Sequence, residues 1–128
     1  MTAPTLRKRE RMVSQKLIET LFGGGSSLSM AAYPLRVVYM KTNRQYGDVP
    51  VQLLISVPKK RFKHAVDRNL VKRQVREAFR QHKQVVYDAL PEEEMVLMAF
   101  VWLSQEHYSS QEVEKRVVSF LKRMAEKL

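Results

Sequence analysis

The sequence predicts an α+β fold, in which helices pack on one small sheet to form a two-layer α/β sandwich. Segments with helical spacing of apolar residues alternate with short segments rich in β-forming residues. The chain has 128 residues, the size of one domain, and 45% of them are hydrophobic, which is enough for a core. The predicted order is helix, strand, strand, short third strand, helix, strand, helix, all within one domain over residues 1–128.

The first predicted helix follows a basic segment. Residues 1–11 are expected to form a basic, mobile arm whose cations are Arg7, Lys8, Arg9 and Arg11. Ile18 and Phe22 lie one turn apart on the same helical face. Three glycines at 23–25 then end the helix, and no Gly-Lys-Ser/Thr follows that would make a phosphate-binding loop.

Two strands and a third, shorter one are predicted next. Residues 35–40 are rich in β-forming side chains, and residues 51–57 form a similar segment that is closed by proline. The polar residues 42–48 between them predict a hairpin-type connection. Residues 65–66 are expected to add the short third strand.

A long second helix and a buried strand follow. Asp67 is a good N-cap, and the helix is predicted to run to about Leu90, where Pro91 ends it. The nine apolar residues 95–103 are far fewer than the roughly 20 that span a membrane, so they predict a buried strand.

The last helix has a capping box at its start. Ser109 and Glu112 have the spacing in which each side chain satisfies a backbone N–H of the other residue. The predicted core face of this helix consists of Val113, Val117, Phe120, Leu121, Met124 and Leu128.

Positive charge is concentrated in two segments. The chain has 23 Lys and Arg against 13 Asp and Glu, a formal net charge of +10. Residues 1–16 carry +4 and residues 59–83 carry +8, whereas the rest carries −2. This distribution is typical of a nucleic-acid-binding protein, and membrane binding would require a more strongly amphipathic helix. The absence of cysteine excludes disulfides and thiol catalysis and fits the cytoplasm.

The second helix is predicted to carry the binding surface. Val71, Val75 and Phe79 share its core face, and Lys72 and Arg76 recur one turn apart beside that face. Such a stripe can follow a phosphate backbone, and no preceding short helix suggests a helix-turn-helix, so structured RNA is favoured over DNA. The predicted RNA-binding residues are Lys59, Lys60, Arg61, Arg68, Asn69, Lys72, Arg73, Arg76 and Arg80.

Two neighbouring motifs and the arm resemble one known family. Residues 56–60 read Ser-Val-Pro-Lys-Lys, and residues 65–80 contain Ala-Val-Asp-Arg-Asn-Leu and Arg-Glu-Ala-Phe-Arg. Residues 6–12 read Leu-Arg-Lys-Arg-Glu-Arg-Met, and Phe22 follows ten residues later. Together they resemble the bacterial ribonuclease P protein subunit over essentially the whole chain.

The resemblance implies a fold and a function. The fold would be a small α/β sandwich resembling domain 2 of ribosomal protein S5, with a left-handed βαβ crossover. The activity would be endonucleolytic removal of the 5′ leader from precursor tRNA, in which the ribonuclease P RNA and Mg2+ carry the chemistry. The protein would supply no catalytic residue, bind no metal or cofactor itself, and contact both the RNA subunit and precursor tRNA.

The resemblance also implies a leader-binding cleft between the sheet and the first helix. Ile18, Phe22 and Tyr39 correspond to its lining. Ordinary core packing is the alternative for all three residues, and for Ile18 the two interpretations carry equal weight.

The chain departs from the family pattern at two places. Leu70 stands where the family has a second Arg, and helical geometry places it about 120° from Arg76, exposed at the edge of the stripe. Residues 61–64 replace a loop in which a Gly is common, which leaves the path of that loop open.

Two other function classes are weighed. A ribosomal-type structural RNA-binding protein would share the basic helix without assisting cleavage. A protein nuclease would require converging acids, bases or metal ligands, whereas His64, His82 and His107 are scattered and His82 is predicted to be structural.

Overall fold

A computed structural model of the protein describes residues 15–23, 25, 27–43 and 49–128. It confirms the α+β class and shows one four-stranded sheet with helices on both faces. The basic arm at residues 1–11 lies outside the described residues. The elements are α1 (Gln15–Gly23), β1 (Leu28–Ala32), β2 (Leu35–Asn43), β3 (Val51–Ser56), α2 (Ala65–His82), α3 (Gln84–Ala89), β4 (Glu94–Trp102) and α4 (Ser110–Lys127).

The sheet has the strand order β1-β2-β4-β3. β2 is antiparallel to both β1 and β4, whereas β3 is parallel to β4. The chain therefore leaves β3, passes through α2 and α3, and returns beside β3 as a βαβ unit. The handedness of this crossover stays a prediction from the resemblance.

The two faces of the sheet have separate cores. On one face, Phe79 of α2 and Phe120 of α4 pack with Phe100 of β4 in the larger cluster. On the other face, Leu21 of α1 packs with Val38 of β2 in a smaller cluster. β4 is buried on both faces over Met95–Phe100, which explains why its sequence is apolar without alternation.

The predicted hairpin over residues 42–48 is wrong. β2 and β3 are not neighbours, because β4 lies between them and pairs with both. A polar connection containing glycine is typical of a hairpin. It gives no sign that a later and more apolar strand, β4, lies between the two strands that it joins. The sequence prediction also missed β1, whose five residues bury only Met30 and include no β-branched side chain.

The start of α2 and its length also differ from the prediction. Residues 65–66 form the first turn of α2 and not a short strand, and His64 is the N-cap in place of Asp67. The predicted single helix is interrupted at Lys83, whose carbonyl oxygen accepts hydrogen bonds from the N–H groups of Val86 and Tyr87. A second helix, α3, therefore carries Val86 into the core.

The capping box of α4 is confirmed. Ser109 Oγ accepts a hydrogen bond from the N–H of Glu112 at 3.2 Å, and Glu112 Oε2 accepts one from the N–H of Ser109 at 3.3 Å. The predicted core face is confirmed as well, because five of its six residues are buried and Leu128 is half-buried. None of the described helices has the length and apolar character needed to cross a membrane.

Candidate nucleic-acid interface

One flank of α2 is used to contact α4. Gln74 Nε2 donates hydrogen bonds to the carbonyl oxygen of Tyr108 at 3.0 Å and to Ser110 Oγ at 3.2 Å. His82 Nε2 lies 3.2 Å from a carboxylate oxygen of Glu114, which supports the predicted structural role of His82. The flank of α2 that carries the basic stripe therefore faces away from α4.

The stripe of α2 extends onto the loop before it. Lys72 and Arg76 are half-buried at the edge of the core face, whereas Asn69 and Arg73 are exposed. In the loop, Lys59 and Lys60 are exposed in a turn closed by a hydrogen bond from the N–H of Arg61 to the carbonyl oxygen of Pro58. We call this set the basic surface, and it consists of Lys59, Lys60, Arg61, Arg68, Asn69, Lys72, Arg73 and Arg76.

The loop over residues 57–64 is fixed from two sides. Arg68 Nη1 donates hydrogen bonds to the carbonyl oxygens of Phe62 at 2.8 Å and Lys63 at 3.0 Å. The Phe62 ring is buried in the larger core and stacks on His107, and His107 Nε2 lies 3.0 Å from Asp67 Oδ1. Arg68 thus holds the loop, and the same guanidinium keeps further donors for a phosphate.

The loop does not need the glycine that is common in the family. Across the described part of the chain, no residue other than glycine has a positive φ angle. The path of the loop is fixed instead by Phe62, whose buried ring anchors the loop to the core. Sequence reasoning missed this anchor, since Phe62 stands in a charged stretch and its partner His107 lies in the loop after β4.

Arg80 differs from the rest of the predicted site. Its guanidinium forms an ion pair with the carboxylate of Glu77, one turn earlier in α2. The hydrogen bond from Arg80 lowers the pKa of the Glu77 carboxyl below its ordinary value. Arg80 therefore brings less net charge to the stripe than its position alone predicts.

The structure separates the three predicted cleft residues. Ile18 is half-buried beside the smaller core, and Phe22 is 49% exposed at the end of α1. These two side chains belong to α1, which packs on the sheet face of the smaller core. Leu21 between them is the residue that anchors α1, and sequence reasoning did not single it out.

The prediction that Tyr39 lines this cleft is wrong. Tyr39 is 2% exposed and packs in the larger core, whereas its neighbour Val38 packs under α1. Successive residues of a strand point to opposite faces, so Tyr39 lies across the sheet from Ile18. Burial raises the pKa of the Tyr39 phenol, and nearby Arg123 opposes that shift.

Leu70 lies where the sequence placed it. Its side chain is 43% exposed, next to the even more exposed Val66 on the outer side of α2. The position that the family fills with a second Arg is therefore open to solvent and beside the basic surface.

No metal site is found among the described residues. Within them, no group of three or more His, Cys, Asp or Glu side chains is arranged to hold a metal ion. Two of the described histidines are instead paired with acids of other segments, His82 with Glu114 and His107 with Asp67.

Comparisons with known proteins show the family of the chain. A family model described as Ribonuclease P matches residues 6–125. A "Ribonuclease P protein component" of Porphyromonas gingivalis is 40% identical over 129 residues, covering 98% of this chain and 92% of that protein. One of Chlorobium phaeobacteroides is 40% identical over 85 residues, covering 65% of this chain and 57% of that protein.

Solved structures have the same fold. A ribonuclease P protein from Thermotoga maritima superposes with a TM-score of 0.66 at 24% identity, covering 89% of this chain and 96% of that chain. One from Staphylococcus aureus gives a TM-score of 0.65 at 19% identity, covering 91% and 94%. At these identities the structural likeness establishes the fold alone.

Proposed function

The chain belongs to the ribonuclease P protein family, and we propose that it binds the catalytic RNA through its basic surface and the 5′ leader of precursor tRNA beside α1. Ribonuclease P is an endoribonuclease that removes this leader to give the mature 5′ end of tRNA. The protein is a subunit of that enzyme, and its partners are the ribonuclease P RNA and precursor tRNA. Our proposal concerns which surface of this chain binds each of the two RNAs.

One observation carries the assignment of the RNA-binding surface. The flank of α2 that faces α4 is neutral at Gln74, whereas the opposite flank presents Lys72 and Arg76 and continues into Lys59 and Lys60. A row of cations on one flank can follow the phosphates of a structured RNA. The arginines add two-pronged hydrogen bonds to phosphate oxygens.

The sheet face under α1 fits an extended RNA strand. α1 packs on this face through Leu21, and the leader is proposed to lie in a cleft beside α1. Phe22 is exposed at the edge of the cleft, where a base can stack on its ring. Ile18 is proposed to support Phe22 from the apolar side of α1.

The chemistry is proposed to reside in the RNA. No catalytic residue is assigned to the protein, and Mg2+ is proposed to be held by the RNA subunit, since the described part of the chain brings no three metal-ligating side chains together. The site of action is proposed to be the cytoplasm, where tRNA is transcribed. The whole chain is proposed to act as one RNA-binding domain with residues 1–11 as a basic arm.

A reconstitution at low Mg2+ tests this proposal. The full chain is added to ribonuclease P RNA and a precursor tRNA, and the rate of leader cleavage and the substrate affinity are measured. We expect both to rise when the protein is present. If neither the cleavage rate nor the substrate affinity rises, the chain is a structural RNA-binding protein without a role in cleavage. If the protein cleaves precursor tRNA without the RNA subunit, it is a protein nuclease.

A matched pair of variants locates the surface. Lys72→Gln with Arg73→Gln is expected to weaken binding to ribonuclease P RNA and to reduce the log–log salt slope by about 0.7–0.9 for each lost phosphate contact. Lys122→Gln with Lys127→Gln, which removes two exposed cations from α4, is the control and is expected to change neither quantity. Equal effects of the two changes would mean that only the net charge matters.

A further inference from the structure

Loops at one end of the sheet border an open hollow next to the basic surface. It has a volume of about 460 Å3 and lies between the β1–β2 turn, the loop after β3 and the loop after β4. Its lining includes Tyr33, Arg61, Ser104, Gln105, Glu106 and Tyr108. Arg61 is thus shared between this hollow and the basic surface.

Two aromatic rings stand at the hollow in fixed positions. Tyr33 is 59% exposed, and its ring centroid lies 6.5 Å from that of Tyr108, with the planes at 74°. Arg116 holds both residues from α4, because its Nε donates to the Tyr33 carbonyl oxygen at 2.9 Å and its guanidinium lies 5.4 Å from the Tyr108 ring centroid. The rings are therefore organised before any ligand arrives.

The polar groups of the hollow suit an anion and a base. Arg61 Nε is buried and has no hydrogen-bond partner within the described residues, and buried donors are normally satisfied. The half-buried Arg61 side chain lines the hollow, and its guanidinium has other N–H donors for an acceptor that enters there. The exposed carboxylate of Glu106 can accept hydrogen bonds from the amino group of a base, and its loop is held by a 3.0 Å hydrogen bond from the Glu106 N–H to Ser104 Oγ.

We propose that this hollow binds one unpaired nucleotide of an RNA chain. The base stacks on Tyr33 beside Tyr108, and the phosphate is held by Arg61. Exposed aromatic rings next to arginine are the groups by which proteins bind unstacked RNA bases. The adjoining Lys59 and Lys60 would hold neighbouring phosphates. The proposal rests on the proposed function for the identity of the RNA but adds a site away from both α1 and the stripe of α2.

Trp102 provides a local signal for the test. It is the single Trp of the chain, and its ring packs edge-on against Tyr108 with centroids 5.8 Å apart. The full chain is titrated with each of the four nucleoside 5′-monophosphates while Trp102 emission is followed. We expect a saturable change, with binding about ten-fold weaker in Tyr33→Ala and in Arg61→Gln, the order of one aromatic or charged contact.

Two controls make the titration decisive. Val85→Ala removes an exposed side chain on α3 and is expected to bind like the unmodified protein. Inorganic phosphate is expected to bind far more weakly than a nucleotide, because it cannot stack. Equal binding of nucleotides by Tyr33→Ala and the unmodified protein would overturn the proposal, as would equal binding of phosphate and nucleotides.

Two RNA-binding experiments identify which RNA supplies the nucleotide. Tyr33→Ala is compared with the unmodified protein for affinity to ribonuclease P RNA and, separately, for affinity of the assembled enzyme to precursor tRNA. We expect Tyr33→Ala to lose affinity in one of the two experiments. The dependence of binding on salt should not change, because Tyr33 carries no charge. If Tyr33→Ala loses affinity in neither experiment, the proposed nucleotide site is overturned. Failure of the proposed function is a different result, in which the unmodified protein does not stimulate cleavage.

Discussion

The ring of His107 stacks on the ring of Phe62, with centroids 4.5 Å apart and 16° between the planes. The two residues belong to different loops, His107 to the loop after β4 and Phe62 to the loop before α2. Because His107 also bonds Asp67 in the first turn of α2, the stack links the Lys-Lys loop to the helix that follows it. The stack therefore helps to position Lys59 and Lys60, together with the hydrogen bonds of Arg68.

Phe62→Ala is expected to lower the free energy of unfolding by about 3–5 kcal/mol. Phe62 is 8% exposed, so truncation leaves a cavity in the larger core and removes the anchor of the loop. Urea unfolding followed by Trp102 emission measures the loss. Phe22→Ala removes the same side chain at an exposed position and is expected to cost about 1 kcal/mol or less. Equal losses in the two variants would show that Phe62 is not an anchor.

Tyr39→Phe is expected to leave leader binding unchanged and to stabilise the fold by up to about 1 kcal/mol. The Tyr39 hydroxyl is buried and finds no hydrogen-bond partner within the described residues, so its removal relieves a desolvation cost. Leader affinity in the reconstituted enzyme and urea unfolding provide the two measurements. A marked loss of leader affinity would mean that Tyr39 lines the leader-binding cleft after all.

The same residue is expected to make stability depend on alkaline pH. Burial raises the pKa of the Tyr39 phenol above the ordinary value of 10.0 that it has in the unfolded chain. The unfolded chain therefore loses the phenol proton first, so the free energy of unfolding is unaffected below pH 10 and falls as the pH rises from 10 toward the folded pKa. The difference in unfolding free energy between the unmodified protein and Tyr39→Phe, measured from pH 8 upward, should change in favour of Tyr39→Phe above pH 10. A constant difference would contradict the shift.

The sequence predicted those elements whose signals are local. The capping box of Ser109 and Glu112, the apolar run of β4 and the helical periodicity of α2 each depend on residues within a few turns of one another. The face to which Tyr39 points was not predictable in the same way. A shift of one residue in strand register moves a side chain to the other face of the sheet, and register is set by β4, far along the chain.

Helical spacing predicted the placement of the cations on α2 better than their contacts. It placed Lys72 and Arg76 in one stripe beside the core face, and both are half-buried there. The pairing of Arg80 with Glu77 and the use of Arg68 to hold the loop depend on side-chain geometry, which spacing alone does not give. A list of cations therefore overestimates the charge that is offered to RNA.

Glu77→Gln is expected to strengthen binding to ribonuclease P RNA a few-fold and to steepen its salt dependence by up to about 0.7–0.9 in log–log slope. The change removes the carboxylate that pairs with Arg80, and exposed ion pairs are weak enough to exchange for a phosphate. Binding at several salt concentrations measures both quantities.

Glu92→Gln is the control for Glu77→Gln, because it removes the same charge from an exposed turn before β4. It is expected to change RNA affinity less and to leave the salt slope unaltered. If the two variants gain equally, the benefit comes from net charge and the pairing with Arg80 does not limit binding.

Leu70→Arg is expected to strengthen RNA binding modestly, with a salt slope steeper by at most the 0.7–0.9 of one phosphate contact. Leu70 is 43% exposed and lies beside the basic surface, so an arginine there can reach a phosphate at the edge of the RNA without disturbing the core. Its unfolding free energy should stay within about 0.5 kcal/mol of the unmodified protein, as is usual for exposed positions. Leu70→Gln, which adds no charge, is the matched control. A large loss of RNA affinity in both variants would mean that the exposed Leu70 side chain itself contacts the RNA, and the basic surface would then have an apolar edge.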